Sequence, residues 1–146
     1  MTKYALDTNV YVDCFRNVAA GQALKHFLAI HLMRTYMLAV VVQELRAGTS
    51  TGEQIEALES GVLAPFERRK RVMSPSPQAF KESGRILAEV ASKGKIDAAK
   101  VSPSFPNDTL IAASCRESGI TLITRDADFK RIAPHISGFR YIAPPF

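Results

Sequence analysis

Four places in this chain set a carboxylate where apolar sequence breaks off or resumes. Asp7 ends the run Tyr4-Ala5-Leu6 and is followed by Thr8-Asn9. Glu44 lies in Val41-Val42-Gln43-Glu44-Leu45-Arg46, and Asp108 in Asn107-Asp108-Thr109-Leu110-Ile111. Asp126 and Asp128 follow Leu122-Ile123-Thr124-Arg125. Carboxylates brought together repel, and each raises its neighbours' pKa unless something positive intervenes. Mg2+ or Mn2+ relieves that repulsion, prefers hard oxygen ligands and keeps waters for reaction. A metal so held activates water for in-line attack on phosphorus, and a second ion can stabilise the leaving oxygen. Thr8, Asn9 and Thr124 are the neighbours suited to orient the acids by hydrogen bonds.

Each acid has a plainer reading beside this one. Asp108 and Asp126 suit helix N-caps that complement the helix dipole. Glu44 is harder to read that way, flanked as it is by apolar residues at the edge of a core. Asp7 is hardest, because a charge directly after a buried strand needs partners. Other chemistries are poorly served. His26, His31 and His135 have no metal-ligand spacing, and His26 and His31 read as helix-surface residues. No Gly-rich phosphate loop and no serine nucleophile elbow is present. A phosphoaccepting Asp7 would lack the second acid two residues on that one phosphatase class requires.

The elements that must position these acids alternate. Residues 3–7 read as a buried strand, and 9–16 as a short helix capped by Thr8 or Asn9. A helix over 22–33 follows Gly21, then a strand over 36–41 and a helix over 42–47 stopped by Gly48. Residues 53–63 and 64–69 read as helix interrupted near Gly61 and Pro65, and 72–73 as a short third strand. Ser74 or Ser76 caps an amphipathic helix running to about Ser92. Residues 93–105 read as a loop, 108–117 as a helix opened by Pro106 or Asn107 and stopped at Gly119. A strand over 120–124, a short helix over 126–132 and an edge strand over 140–142 complete the chain. Strands alternating with helices imply parallel βαβ units with helices on both faces of the sheet. The continuous, mainly apolar strands at 3–6 and 120–123 fit a sheet buried on both sides. With no repeat or linker, 1–146 reads as a single domain.

Bulk properties narrow the setting. An apolar fraction of 47% and a charged fraction of 23% are those of an ordinary soluble domain. The most apolar window, 23–42, contains Lys25, His26, His31 and Arg34, which excludes a membrane span. The polar Asp7-Thr8-Asn9 interrupts the N-terminal apolar run too early for a signal peptide. Cys14 and Cys115 read as buried thiols of a cytoplasmic protein. A net charge of +5, densest at Arg68-Arg69-Lys70-Arg71, favours anionic partners such as nucleic acid.

Taken in order, Leu6-Asp7-Thr8-Asn9, Gln43-Glu44-Leu45-Arg46-Ala47-Gly48, Asn107-Asp108-Thr109-Leu110-Ile111-Ala112-Ala113 and Leu122-Ile123-Thr124-Arg125-Asp126-Ala127-Asp128-Phe129 resemble the PIN domain. More narrowly, they resemble the VapC-type toxins of bacterial type II toxin–antitoxin modules, over essentially the whole chain. The resemblance implies a three-layer α/β/α fold with a central parallel sheet of four to five strands. It implies an endoribonuclease dependent on one or two Mg2+ or Mn2+ ions, with tRNA or rRNA as substrate. A homodimer, and a cognate VapB-like antitoxin whose C-terminal segment reaches the active site, are implied with it. By motif position, Asp7, Glu44 and Asp108 correspond to the first three family acids. Asp126 takes the fourth slot, with Asp128 as support after a turn one residue shorter than common. The 93–105 stretch is longer than in many relatives and reads as a surface insertion, and Arg46 as a surface or partner contact. A catalytically silent RNA-binding module and a DNA-directed nuclease of the same fold are the rival readings.

Overall fold

Strand β1 (Lys3–Leu6) is the middle strand of a five-stranded parallel sheet. The computed structural model describes residues 1–92 and 102–146. The other strands are β2 (Thr35–Leu38), β3 (Val72–Met73), β4 (Ile120–Ile123) and β5 (Arg140–Ile142). Their order across the sheet is β3-β2-β1-β4-β5, all parallel. Ala5, Leu6, Leu122 and Ile123 have at most 1% exposure, as expected of strands covered on both faces. The chain first steps outward from β1 to β2 and β3, then crosses back to β4 and β5. Right-handed crossovers in opposite directions put their helices on opposite faces, and the direction reverses between β1 and β4.

The helices are α1 (Thr8–Arg16), α2 (Val18–His31), α3 (Ala39–Ala47), α4 (Gly52–Leu58), α5 (Ala64–Arg68), α6 (Pro77–Ser92), α7 (Phe105–Glu117) and α8 (Phe129–Ile132). Helix α1 is capped by Asp7, whose Oδ1 accepts from Thr8 N–H at 2.8 Å, so neither Thr8 nor Asn9 is the cap. Helix α2 starts earlier than its apolar spacing suggests, because Asn17 caps it by accepting from Ala20 N–H at 3.0 Å. Gly21 therefore lies inside the helix, where a Cβ would come within 3.2 Å of the Cys14 carbonyl; its absence lets α1 and α2 approach.

Strand β2 ends at Leu38, and the residues 39–41 read as strand are the first turn of α3. Val40 and Val41 are buried there, and that packing overrides the β preference of branched side chains. Helix α4 carries a capping box between Thr51 and Gln54, and a π-helical turn (Glu59–Leu63) spans the Gly61 interruption. Ser76, not Ser74, caps α6 by accepting from Ala79 N–H at 3.0 Å. Most of the expected 93–105 loop lies outside the described residues, but its last residue, Phe105, is buried and already helical. Strand β4 stops at Ile123, and α8 begins at Phe129, leaving Thr124 to Asp128 as the connection. Gly119 ends α7 with a φ of 65°, the left-handed conformation a stop there requires. No helix among the described residues is long and apolar enough to cross a membrane.

Phe129 anchors this last connection. It is fully buried, with Phe139 and Tyr141 rings at 5.9 and 6.3 Å. Phe129→Ala is expected to cost about 3–5 kcal/mol in denaturant unfolding, and Phe129→Leu clearly less. Near-native stability of the alanine variant would show that this aromatic cluster does not hold the β4–α8 segment.

Candidate active site

The acids gather at the carboxyl ends of β1 and β4, the crevice where the direction of the chain reverses and where open α/β sheets bind ligands. Asp7 N–H donates to the Ile123 carbonyl at 2.9 Å, carrying the β1–β4 ladder one step beyond the strands. That bond fixes the Asp7 backbone beside Thr124, although their sequence positions are far apart. The Thr124 hydroxyl donates to Asp7 Oδ2 at 2.7 Å, and Asn9 Nδ2 donates to the same oxygen at 3.2 Å. The other oxygen, Oδ1, caps α1. Cap and candidate ligand are thus the same side chain, only 3% exposed.

Glu44 reaches the site from the second turn of α3, where its Oε1 accepts from the Thr8 hydroxyl at 2.8 Å. Asp108 comes from the first turn of α7, which enters the sheet from the opposite side. It is 2% exposed, and its Oδ2 is buried without a hydrogen-bond partner among the described residues. Asp126 stands in the β4–α8 connection rather than in a helix. Its N–H donates to the Thr124 hydroxyl at 3.0 Å, and its Oδ1 accepts from Asp128 N–H at 2.9 Å, an Asx-type turn. Asp128 occupies the cap position of α8 without making a cap bond. Asp108, Asp126 and Asp128 each offer a carboxylate oxygen within 4.8 Å of the other two. The two candidates for the fourth acid therefore both face Asp108.

Electrostatics bind Asp7 and Glu44 to that triangle. Burial pushes the Asp108 carboxyl up to about 9, helped by the charges of Asp7, Asp126, Glu44 and Asp128. Burial also raises Asp7, to about 6. The Thr124 hydroxyl and Thr8 N–H oppose that rise, and Glu44 and Asp126 add to it. Five acids share one pocket of field. Arg125 pairs outward with Asp13 at 2.9 Å, its own N–H held by Asn9 Oδ1, and Arg131 forms an ion pair with Asp128 at 3.8 Å. A hard divalent cation fits this donor set, which is wholly carboxylate and includes one orphaned buried oxygen.

The orienting roles expected of Thr8, Asn9 and Thr124 correspond to actual contacts. One contact went unread: Ser102 donates through its hydroxyl to Asp128 Oδ2 at 3.0 Å and is itself in contact with Ser104 at 2.8 Å. Its only sequence signal was a serine pair just ahead of the Asp108 helix, inside what reads as a loop. His31 does not lie on an open helix surface; it packs against Phe27 at 4.5 Å and accepts from Arg34. Cys14 is half-buried rather than buried, and both thiols are free. Arg46 pairs locally with Thr49, on the surface. The dense block at 68–71 lies at the amino end of edge strand β3, with Arg71 over the Tyr36 ring, and not at the carboxyl ends where the acids collect.

The fold has counterparts among solved structures. Similar solved structures include DNA-bound VapBC from Salmonella typhimurium, 25% identical, with a TM-score of 0.73 over 98% of each chain. FitAcB from Neisseria gonorrhoeae is 24% identical, with a TM-score of 0.68 over 95% of this chain and 96% of that one. A member of the VapBC family of toxin-antitoxin systems, VapBC-5 from Mycobacterium tuberculosis, is 20% identical, with a TM-score of 0.63 over 99% of this chain and 100% of that one. The last two likenesses are of fold alone. No curated protein matches the sequence. The family model for the PIN domain matches residues 4–134, through all five acids, and the chain belongs to that family.

Proposed function

We propose that this PIN domain is a metal-dependent endoribonuclease that hydrolyses RNA phosphodiesters, with tRNA or rRNA as substrate, and acts as a VapC-type toxin. The observation that carries this reading is the Asp108 carboxylate, buried without a partner for one oxygen amid four other acids. Such a group is expensive to keep unless a cation completes it. Asp108, Asp126 and Asp128 would hold one Mg2+ or Mn2+, with Asp7 and Glu44 completing the site or supporting a second ion. A bound ion would neutralise charge at phosphorus and lower the pKa of a water, which attacks once it has lost its proton.

The protein's own groups do the positioning. Thr124 and Asn9 fix one Asp7 oxygen while α1 fixes the other, so that carboxylate cannot turn. Thr8 orients Glu44, and Ser102 orients Asp128. The net charge of +5 draws a polyanion to the surface despite the acids at its centre. By likeness to DNA-bound VapBC, an antitoxin is the proposed protein partner, and the PIN-toxin resemblance of the sequence makes a homodimer the proposed assembly.

Cleavage assays of tRNA, rRNA and single-stranded DNA with and without Mn2+ test this reading. Asp7→Asn and Asp108→Asn are each expected to slow RNA cleavage by roughly a thousandfold with the fold intact. Wild-type rates in both variants, or preference for DNA, would overturn it. Thr124→Val, which removes the hydroxyl between Asp7 and Asp126, is expected to lower activity or metal affinity about 10- to 100-fold. An unchanged Mn2+ titration and rate would remove Thr124 from the mechanism.

The raised carboxyls also set a stability profile. In the folded chain Asp7 and Asp108 titrate near 6 and 9, against about 4 when unfolded, so the folded state binds more protons between those values. Without metal, stability is therefore greatest below about pH 4 on their account. It falls as pH rises through 6 and on towards 9, by an amount on the order of several kcal/mol. Thermal melts in chelator should show this decline, Asp108→Asn should flatten it, and Mn2+ should restore stability at pH 8. Stability that rises from pH 5 to 8 in chelator would contradict the charge crowding.

A further inference from the structure

Three neighbouring parallel strands are each entered by a cation. Lys3 begins β1, Arg34 directly precedes β2, and Arg71 directly precedes β3. Pairing of Tyr4 with Thr35 brings the entries of β1 and β2 side by side. Met37 N–H donates to the Arg71 carbonyl at 2.9 Å, which holds the entry of β3 against β2. Arg68 ends α5, Arg69 and Lys70 make the turn into β3, and all three are exposed. Glu67 is the one acid between residues 64 and 73. This basic rim lies at the amino ends of the strands, across the sheet from the acid cluster at their carboxyl ends.

Part of the rim has a reason within the fold. Arg69 donates to the Pro65 carbonyl at 2.9 Å, at a helix end where a cation complements the dipole. Arg34 and Arg71 lie over the rings of Tyr4 and Tyr36, at 5.7 and 5.1 Å, which fixes their guanidinium planes. Arg68 and Lys70 have no such reason, since neither side chain has a hydrogen bond or ion pair among the described residues. Lys70 also stands where glycine is favoured. Its φ is 53°, in a helix stop closed by Lys70 N–H to the Glu67 carbonyl and Arg71 N–H to the Phe66 carbonyl. A lysine kept in that left-handed conformation forgoes stability that glycine would restore.

We infer that this rim holds the phosphate backbone of a folded RNA substrate, at a point remote from the bond cut at the acid cluster. The inference rests on the ribonuclease reading and deepens it by assigning where the substrate's affinity comes from. Five carboxylates at the cutting centre repel a polyanion, so attraction has to be supplied elsewhere on the surface. Exposed ammonium and guanidinium groups without carboxylate partners are the complement of phosphate oxygens. A short RNA at the acids stops before the opposite end of the sheet, whereas a folded RNA curving over its edge touches both. Preference for folded RNA over short fragments follows.

Steady-state cleavage of a tRNA or rRNA fragment, compared with a tetranucleotide spanning its cut bond, tests this in the full chain. Arg68→Gln with Lys70→Gln is expected to raise KM for the folded RNA roughly 10-fold, leaving its kcat and the tetranucleotide's KM unchanged. In the uncutting Asp7→Asn chain, the same pair should weaken Kd for folded RNA equally and lower the salt slope by about 1–2. Arg68→Lys with Lys70→Arg should keep both. Lys70→Gly should raise the melting temperature while weakening RNA binding, which a lysine serving only the fold would not do. Unchanged Kd and salt slope would overturn the inference, as would an equal rise in KM for both substrates. So would RNA affinity that survives while binding of duplex DNA or of an acidic peptide is lost. The nuclease reading fails on a different result, the absence of Mn2+-dependent cleavage by the unaltered chain, and RNA binding by the Asp7→Asn chain still tests the rim.

Discussion

Burial of two carboxylates beside three further acids is the constraint around which this fold is arranged. Asp7 and Asp108 are almost without solvent, and three further acids lie close enough to raise them. A cluster of that kind opposes folding in the absence of a cation. It persists because the rest of the chain over-determines the geometry. Both oxygens of Asp7 are tied down, Glu44 and Asp128 are each held by a hydroxyl, and Asp126 is locked in a turn. Asp108 keeps a buried oxygen that has no partner among the described residues, and a ligand there would relieve the crowding.

Topology explains why the acids meet here. The chain leaves β1 in one direction and returns to β4 on the other side, so the two loops at their carboxyl ends diverge. Asp7 and the Thr124–Asp128 connection line the resulting crevice, while α3 and α7 deliver Glu44 and Asp108 to it. The ladder bond from Asp7 to Ile123 sets the register, and a slip of one residue would turn Asp7 and Thr124 away from each other. Packing of Phe129 against Phe139 and Tyr141 then fixes the far end of the connection.

Much of this was legible in the chain itself. Short apolar runs ending in Asp7 and Thr124 announced strands with chemistry at their tips, and the alternation with helices announced a parallel sheet. Boundaries were less legible where tertiary contacts outvoted local preference. Val40 and Val41 read as strand yet are helical, because the pairing of β2 with β1 and β3 ends at Leu38 and both valines are buried from α3 instead. Asn17 went unrecognised as a cap because Gly21 looked like a break, and only the close passage of α1 past α2 explains that glycine. Ser102 was silent for a related reason, since a serine in a polar stretch carries no sign of the carboxylate it faces.

The sequence by itself determined the residue types: five acids, three small polar residues beside them, and a periodicity that allows one fold class. It could not decide whether Asp7 was a cap or a ligand, nor whether Asp126 or Asp128 belonged to the site. Those questions turn on where side-chain oxygens lie relative to residues 18 to 117 positions away, and only chain packing sets such distances. In the folded protein Asp7 is a cap through one oxygen and part of the acid cluster through its field. Asp126 and Asp128 both face Asp108, because a turn closed by a carboxylate-to-amide bond brings alternate residues to the same side.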